Sequence, residues 1–174
     1  MSGVEERLRE LGLRLPQPMA PPPPDEFPFA LVRLSGGYAH HSGHGPADGN
    51  DYLMHAKVGE TLTVEQGYEA ARLAGLAMLA GLKEALGDLD RIAGWVHAVG
   101  YVNCSPGFPH TFRVVNGFSD LIVELWGEPG RHARAAPGVT ALPFDIPVVV
   151  EATVELARAE RAAAPQPPRA LYRC

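Results

Sequence analysis

The chain has 174 residues, 46% of them hydrophobic, with 15 Lys+Arg against 20 Asp+Glu and a formal net charge of −5 with His neutral. That length and apolar content suit one globular domain with a real core, and an acidic balance without a Lys/Arg run speaks against a nucleic-acid partner. A charged N-terminus, the lack of any long apolar run, and two cysteines (Cys104 and Cys174) without metal or redox spacing give the expectation of a protein off the membrane, in the reducing cytoplasm.

Ser2 to Leu11 reads as a short helix, with Ser2 and Glu5 as a capping box, Val4, Leu8 and Leu11 on one face, and Gly12 as its stop. Pro16 to Pro24 is proline-rich and must run extended, which makes residues 1–24 a helix plus a tether over the surface. The body of the fold is expected over 25–157. Phe29–Leu34 and Tyr38–Ser42 read as two strands around the Ser35-Gly36-Gly37 turn. Gly43–Asp51 follows as a glycine-rich polar loop, and Tyr52–Val58 as a short strand. Thr63 opens the main helix with Gln66 as its box partner, and Gly87 closes it after Leu86. Its many alanines let backbones approach, and a helix so poor in charge should be covered on more than one side.

Ile92–Val102 is apolar on both faces apart from His97, the pattern of a strand packed on both sides. Val114, Phe118, Leu121, Ile122 and Leu125 recur at helical spacing, and Gly127, Pro129 and Gly130 end that second helix. Ala133–Val139 is strand-like and carries Arg134, an arginine among alanines that is costly to bury unless an anion meets it. Ile146–Leu156 closes the sheet, and 158–174 is an alanine- and proline-rich tail without an assignable role. The order hairpin, helix, strand, helix, strand, strand predicts a two-layer α/β domain, a mixed sheet with two long helices on one face. An apolar second sheet face would fit an obligate oligomer.

The Asn116 helix, the Gly-Arg-His-Ala-Arg run ending at Arg134, the Leu142-Pro143 pair and the apolar strand ending in Glu151 resemble the Rid/YjgF family, reactive-intermediate deaminases also labelled L-PSP endoribonucleases. The resemblance runs from about Phe29 to Leu156, and Leu11-Gly12-Leu13 with Leu15-Pro16 resemble a longer branch. It implies a chorismate-mutase-like fold, a homotrimer whose sheets close a central barrel, and ligand clefts between subunits; no metal or other cofactor is expected. It also implies that Arg134 binds a substrate carboxylate, with Ser42, Asn116 and Phe29 lining the site. Four positions depart from the characterised deaminases: Phe29 replaces a tyrosine, His44 a glutamine, Ala136 a cysteine, and Val149 the glutamate that positions the attacking water. Glu151, two residues on, keeps the same strand face but lies about 7 Å farther along. His44, adjustable near neutral pH, and Glu151 are therefore the candidate proton carriers.

The alternatives differ in class. Arg134 could instead be an ion-pair partner of Glu151, Glu124 or Glu128, Ser42 an ordinary strand-end residue and Asn116 a helix-surface one. Ser42 has no paired base and no nucleophile elbow around it. His40, His41 and His44 suggest a metal, yet adjacent strand residues point to opposite faces, which favours plain polar histidines. The expected activity is hydrolysis of amino-acid enamines and imines to 2-oxo acids and ammonia. A non-catalytic module binding a carboxylate metabolite is the alternative, and ribonuclease activity comes third because no basic stripe exists.

Overall fold

Local chemistry at its two ends fixes the longest element. In the computed structural model, which describes residues 3–20 and 28–157, helix α2 spans Val64–Leu86. The Gln66 N–H donates to the Thr63 hydroxyl at 3.2 Å and the Thr63 N–H donates to Gln66 Oε1 at 2.9 Å, the expected capping box. Gly87 takes φ 82 just past the last turn, a conformation that costs a side chain-bearing residue far more.

Helix α2 and helix α3 (Thr111–Trp126) cover one face of a mixed sheet, the expected two-layer α/β architecture. Its strands are β1 (Val32–Ser35), β2 (Tyr38–His44), β5 (Ile92–Asn103), β6 (Ala133–Ala135), β7 (Gly138–Val139) and β8 (Val148–Leu156). They run in the order β1-β2-β8-β5-β6, with β7 also on β5; the β1–β2, β2–β8 and β8–β5 pairs are antiparallel, and β6 and β7 lie parallel to β5. Val148, Val150, Ala152, Val154 and Leu156 of β8 are buried toward the helices, in one core with Phe118, Leu121 and Leu79. Alternate residues face the other way.

That second face corrects the expectation of an apolar surface. It carries Glu151, Thr153 and Glu155 from β8, His40 from β2 and His97 and Tyr101 from β5, none of them buried. Along β5 the pattern looked apolar on both sides apart from His97; β8 and β2 supply most of the polarity.

Other elements shift for readable reasons. The expected loop 43–51 and strand 52–58 are replaced by a small hairpin, β3 (Ala47–Asp48) with β4 (Asp51–Tyr52), turning at Gly49, φ 60. The tether fastens this hairpin: the Gln17 N–H donates to Asp48 Oδ1 at 2.7 Å, the Gly49 N–H to the Gln17 carbonyl at 2.9 Å, and the Ala20 N–H to Asn50 Oδ1 at 3.1 Å. Residues 21–24 of the tether and the tail 158–174 lie outside the described residues. Strand β2 continues two residues beyond Ser42, with a bulge between His41 and His44. The single strand expected over 133–139 is two, broken at Pro137, which has no N–H for the ladder but whose carbonyl accepts from the Val102 N–H at 3.0 Å.

The first helix, α1, spans Val4–Glu10, and Gly3 is its N-cap without a side-chain bond. Ser2 lies outside the described residues, and the free Val4 N–H is met from across the fold by Asp90 Oδ1 at 2.7 Å. Leu11, expected on the buried face, is the exposed C-cap instead.

Candidate functional site

Arg134 sits on β6 opposite Ala98 of β5, which in turn pairs with Ala152 of β8, both buried under the helices. In this row side chains point toward α3, so the guanidinium reaches that helix. Arg134 Nη1 donates to Asn116 Oδ1 at 3.0 Å and to Ser119 Oγ at 2.9 Å, and Nη2 donates to the Phe112 carbonyl at 3.3 Å. All three acceptors are neutral. The carboxylates named as possible partners are engaged elsewhere: Glu124 with Arg72 at 2.8 Å, Glu128 with Arg131 at 3.0 Å, Glu151 with the Tyr101 hydroxyl at 3.2 Å. Burial draws the Arg134 pKa down and the nearby Asp120 carboxylate opposes that. The result is a half-buried, charged fork that no anion among the described residues contacts, on the wall of a cleft of roughly 530 Å³ shared with Ser119, Asp120, Glu124, Arg131 and His132.

Two cleft residues were missed as members of this site. His132 Nδ1 lies 2.8 Å from the Gly130 carbonyl, and its Nε2 lies 3.0 Å from Ser119 Oγ. A carbonyl only accepts, so Nδ1 carries the proton and Nε2 offers its lone pair to the Ser119 hydroxyl. The ring rests edge-on to Phe118, centroids 5.6 Å apart, and desolvation there, with Arg134 and His97 adding to it and the Gly130 bond opposing, holds its pKa below the ordinary value. Gly130 allows this placement: a Cβ there would come within 2.6 Å of the Ile122 carbonyl oxygen on α3. The spacing held a clue, since Ser119 follows Asn116 by three helical positions and so shares its face.

The remaining candidate residues stand apart from Arg134 within one chain. Ser42 is on β2, three strand spacings from β6, about 14 Å; its hydroxyl donates to the Ala30 carbonyl at 2.7 Å. Phe29, 54% exposed, lines a separate cleft of roughly 270 Å³ with Met19, His41, His44 and Glu84. Glu151 pairs with Val99, which also pairs with Ala135; this row faces away from the helices, so Glu151 and Arg134 lie on opposite sheet faces. Val149 shares the Glu151 face, and its Cγ1 would meet a Cβ on Gly43 at 2.7 Å. Ala136 packs against the core.

His44 is not the near-neutral proton carrier expected. The bulge turns it inward beside His41, ring centroids 5.1 Å apart and perpendicular, with both residues buried. His41 Nδ1 donates to the Ser42 carbonyl at 2.7 Å, whereas His41 Nε2 and His44 Nδ1 find no partner among the described residues. Burial lowers both pKa values from 6.5 to about 4, with repulsion from His44 contributing at His41. The unfolded chain therefore binds these protons near pH 6.5 while the folded one resists until about 4. Stability is full above the upper limit and falls as pH drops through the window, by about 3 kcal/mol per ring at most. Urea midpoints should decline across that window, and His44→Leu should flatten the decline; an unchanged slope would refute the assignment. Among the described residues no three His, Cys, Asp or Glu side chains converge as metal ligands, and no helix is long and apolar enough to cross a membrane.

Comparison with known proteins agrees with this frame. Residues 5–156 match the model of the family described as YjgF/chorismate mutase-like, putative endoribonuclease. Protein TCP17 of Trypanosoma cruzi is 41% identical over 154 residues, covering 88% of this chain and 94% of that protein. The crystal structure of Atu1372 from Agrobacterium tumefaciens, a protein of unknown function, is 36% identical with a TM-score of 0.78, over 88% of this chain and 92% of its own. A putative endoribonuclease from Shewanella oneidensis superposes with a TM-score of 0.82 at 31% identity, over 89% of this chain and all of its own. With the family model spanning nearly the whole described sheet and both covering helices, the chain belongs to the YjgF/chorismate mutase-like family.

Proposed function

We propose that the protein hydrolyses enamine and imine intermediates of amino acids to 2-oxo acids and ammonia, as a homotrimer in the cytoplasm, without a metal. The observation that carries this reading is the Arg134 fork, half-buried and held, among the described residues, by neutral acceptors. A planar guanidinium so placed suits a carboxylate, which it grips with two parallel bonds. Water then adds to the C=N carbon and proton transfer expels ammonia.

The separation of the candidate residues supports a cleft shared between copies. Arg134 and Asn116 sit by the β6 edge of the sheet, Ser42 and Phe29 by the β1 edge, and both edges lack a further strand among the described residues. Joining one copy's β6 edge to the next copy's β1 edge removes both exposed ladders and brings the two half-sites together. The polar sheet face of Glu151, His40 and Thr153 would then line the interior of the ring.

Generating 2-iminopropionate in the presence of the protein tests the proposal. Faster appearance of the 2-oxo acid is expected, and a release rate that the protein leaves unchanged would remove the idea. A non-catalytic carboxylate-binding role has one observation in its favour, Val149 where the characterised deaminases have glutamate, with Glu151 on the far face from Arg134. Calorimetry with 2-oxo acids separates the two: binding without turnover selects the binding module.

A further inference from the structure

The geometry points to a second activity in the Arg134 cleft: Ser119, with His132 as its base, is an acyl-accepting nucleophile that hydrolyses small amino-acid esters. The arrangement has the three parts such a nucleophile needs. Ser119 Oγ lies 3.0 Å from His132 Nε2, and His132 Nδ1 is oriented by the Gly130 carbonyl at 2.8 Å. The third part is a positive donor: Arg134 Nη1 at 2.9 Å from the same oxygen. It stands near where negative charge develops during attack. A serine serving only to prop Arg134 would need no histidine locked in the matching tautomer.

The steps balance. Ser119 Oγ attacks the ester carbonyl carbon as its proton passes to His132 Nε2, and the carbonyl π pair moves onto oxygen beside Arg134. Collapse breaks the bond to the alkoxide, which leaves as the alcohol with the proton from His132. Water then attacks acyl-Ser119 with His132 again as base, releasing the free acid and restoring the hydroxyl.

The walls indicate the acyl group. Among the cleft carboxylates Glu124 is paired with Arg72, whereas Asp120, adjacent to Ser119, accepts from the neutral Tyr68 hydroxyl at 3.0 Å and meets no cation in an ion pair among the described residues. An unpaired carboxylate beside the nucleophile suits an acyl group bearing an ammonium, that is, an aminoacyl ester. This inference stands apart from imine turnover, since covalent capture of Ser119 requires no imine.

The full-length protein is treated with a fluorophosphonate probe, digested and analysed by mass spectrometry. In parallel, hydrolysis of alanine methyl ester and of its N-acetyl derivative is followed. An adduct on Ser119 is expected, absent in Ser119→Ala and formed roughly 100-fold more slowly in His132→Phe, the loss that removing a general base brings. Phe keeps an aromatic ring against Phe118 and Trp95, so this variant carries the comparison even if Ser119→Ala fails to fold. Alanine methyl ester should be cleaved faster than its N-acetyl form, and Asp120→Asn should erase that preference. No adduct at Ser119, or one that forms as fast in His132→Phe, overturns the nucleophile; equal cleavage of the two esters overturns the substrate class.

Discussion

Arg134→Ala is expected to lower kcat/KM for 2-iminopropionate by about 30- to 1,000-fold, which corresponds to about 2–4 kcal/mol of lost charge-assisted hydrogen bonding to the carboxylate. Arg134→Lys keeps the charge but loses the fork, and should fall between, about tenfold below wild type. The same side chain also ties β6 to α3 through Asn116, Ser119 and the Phe112 carbonyl, so Arg134→Ala should melt a few degrees lower as well. The two effects are separable. Arg131, on the rim of the same cleft, is 68% exposed and paired with Glu128. Its alanine variant should change both rate and melting temperature little, because exposed pairs contribute little. An Arg134→Ala protein that melts early yet turns over like wild type would make the arginine a structural clamp and remove the deaminase proposal.

That prediction could be framed before any coordinates, because an arginine among alanines is conspicuous. The rest of the constellation was legible only in pieces. Thr63, Gln66 and Gly87 announced α2 because a capping box and a left-handed glycine are local chemistry. Asp90 capping Val4 from 86 positions away has no local signature. Strand parity was readable along one strand but not between strands. That Glu151 and Arg134 face opposite ways depends on the register in which Val99 pairs with both Glu151 and Ala135. A bulge likewise defeated the alternation rule at His41 and His44: three positions apart they should diverge, yet both turn inward. The break at Pro137 was open to sequence reasoning, since proline in a strand is a standing warning. His132 gave no such sign, because its serine partner lies on another element.

The second large effect lies where the site and the core share a residue. Gly117 is buried on α3, where an added Cβ would land on the Tyr68 carbonyl oxygen of α2, 2.8 Å from its carbon and 3.2 Å from the Arg72 nitrogen. Those are backbone atoms of another helix and cannot rotate aside, so Gly117→Ala must push α2 and α3 apart. Overpacking of this kind costs about 3 kcal/mol or more, against roughly 1 kcal/mol regained in helix propensity. A net loss of about 2 kcal/mol or more should lower the melting temperature by at least about 4–8 °C. Gly75→Ala is the matched control: its Cβ would meet Leu121 Cδ2 at 2.9 Å, the movable end of a side chain, and the propensity gain should nearly offset the crowding. Gly117 also lies between Asn116 and Ser119, the two side chains that hold the Arg134 fork. Displacing α3 therefore moves the anion site together with the core, and the variant should lose carboxylate binding even at temperatures where it remains folded. A Gly117→Ala protein melting within about 2 °C of wild type would mean the two helices do not approach this closely, and the placement of Asn116 and Ser119 against Arg134 would fall with that contact.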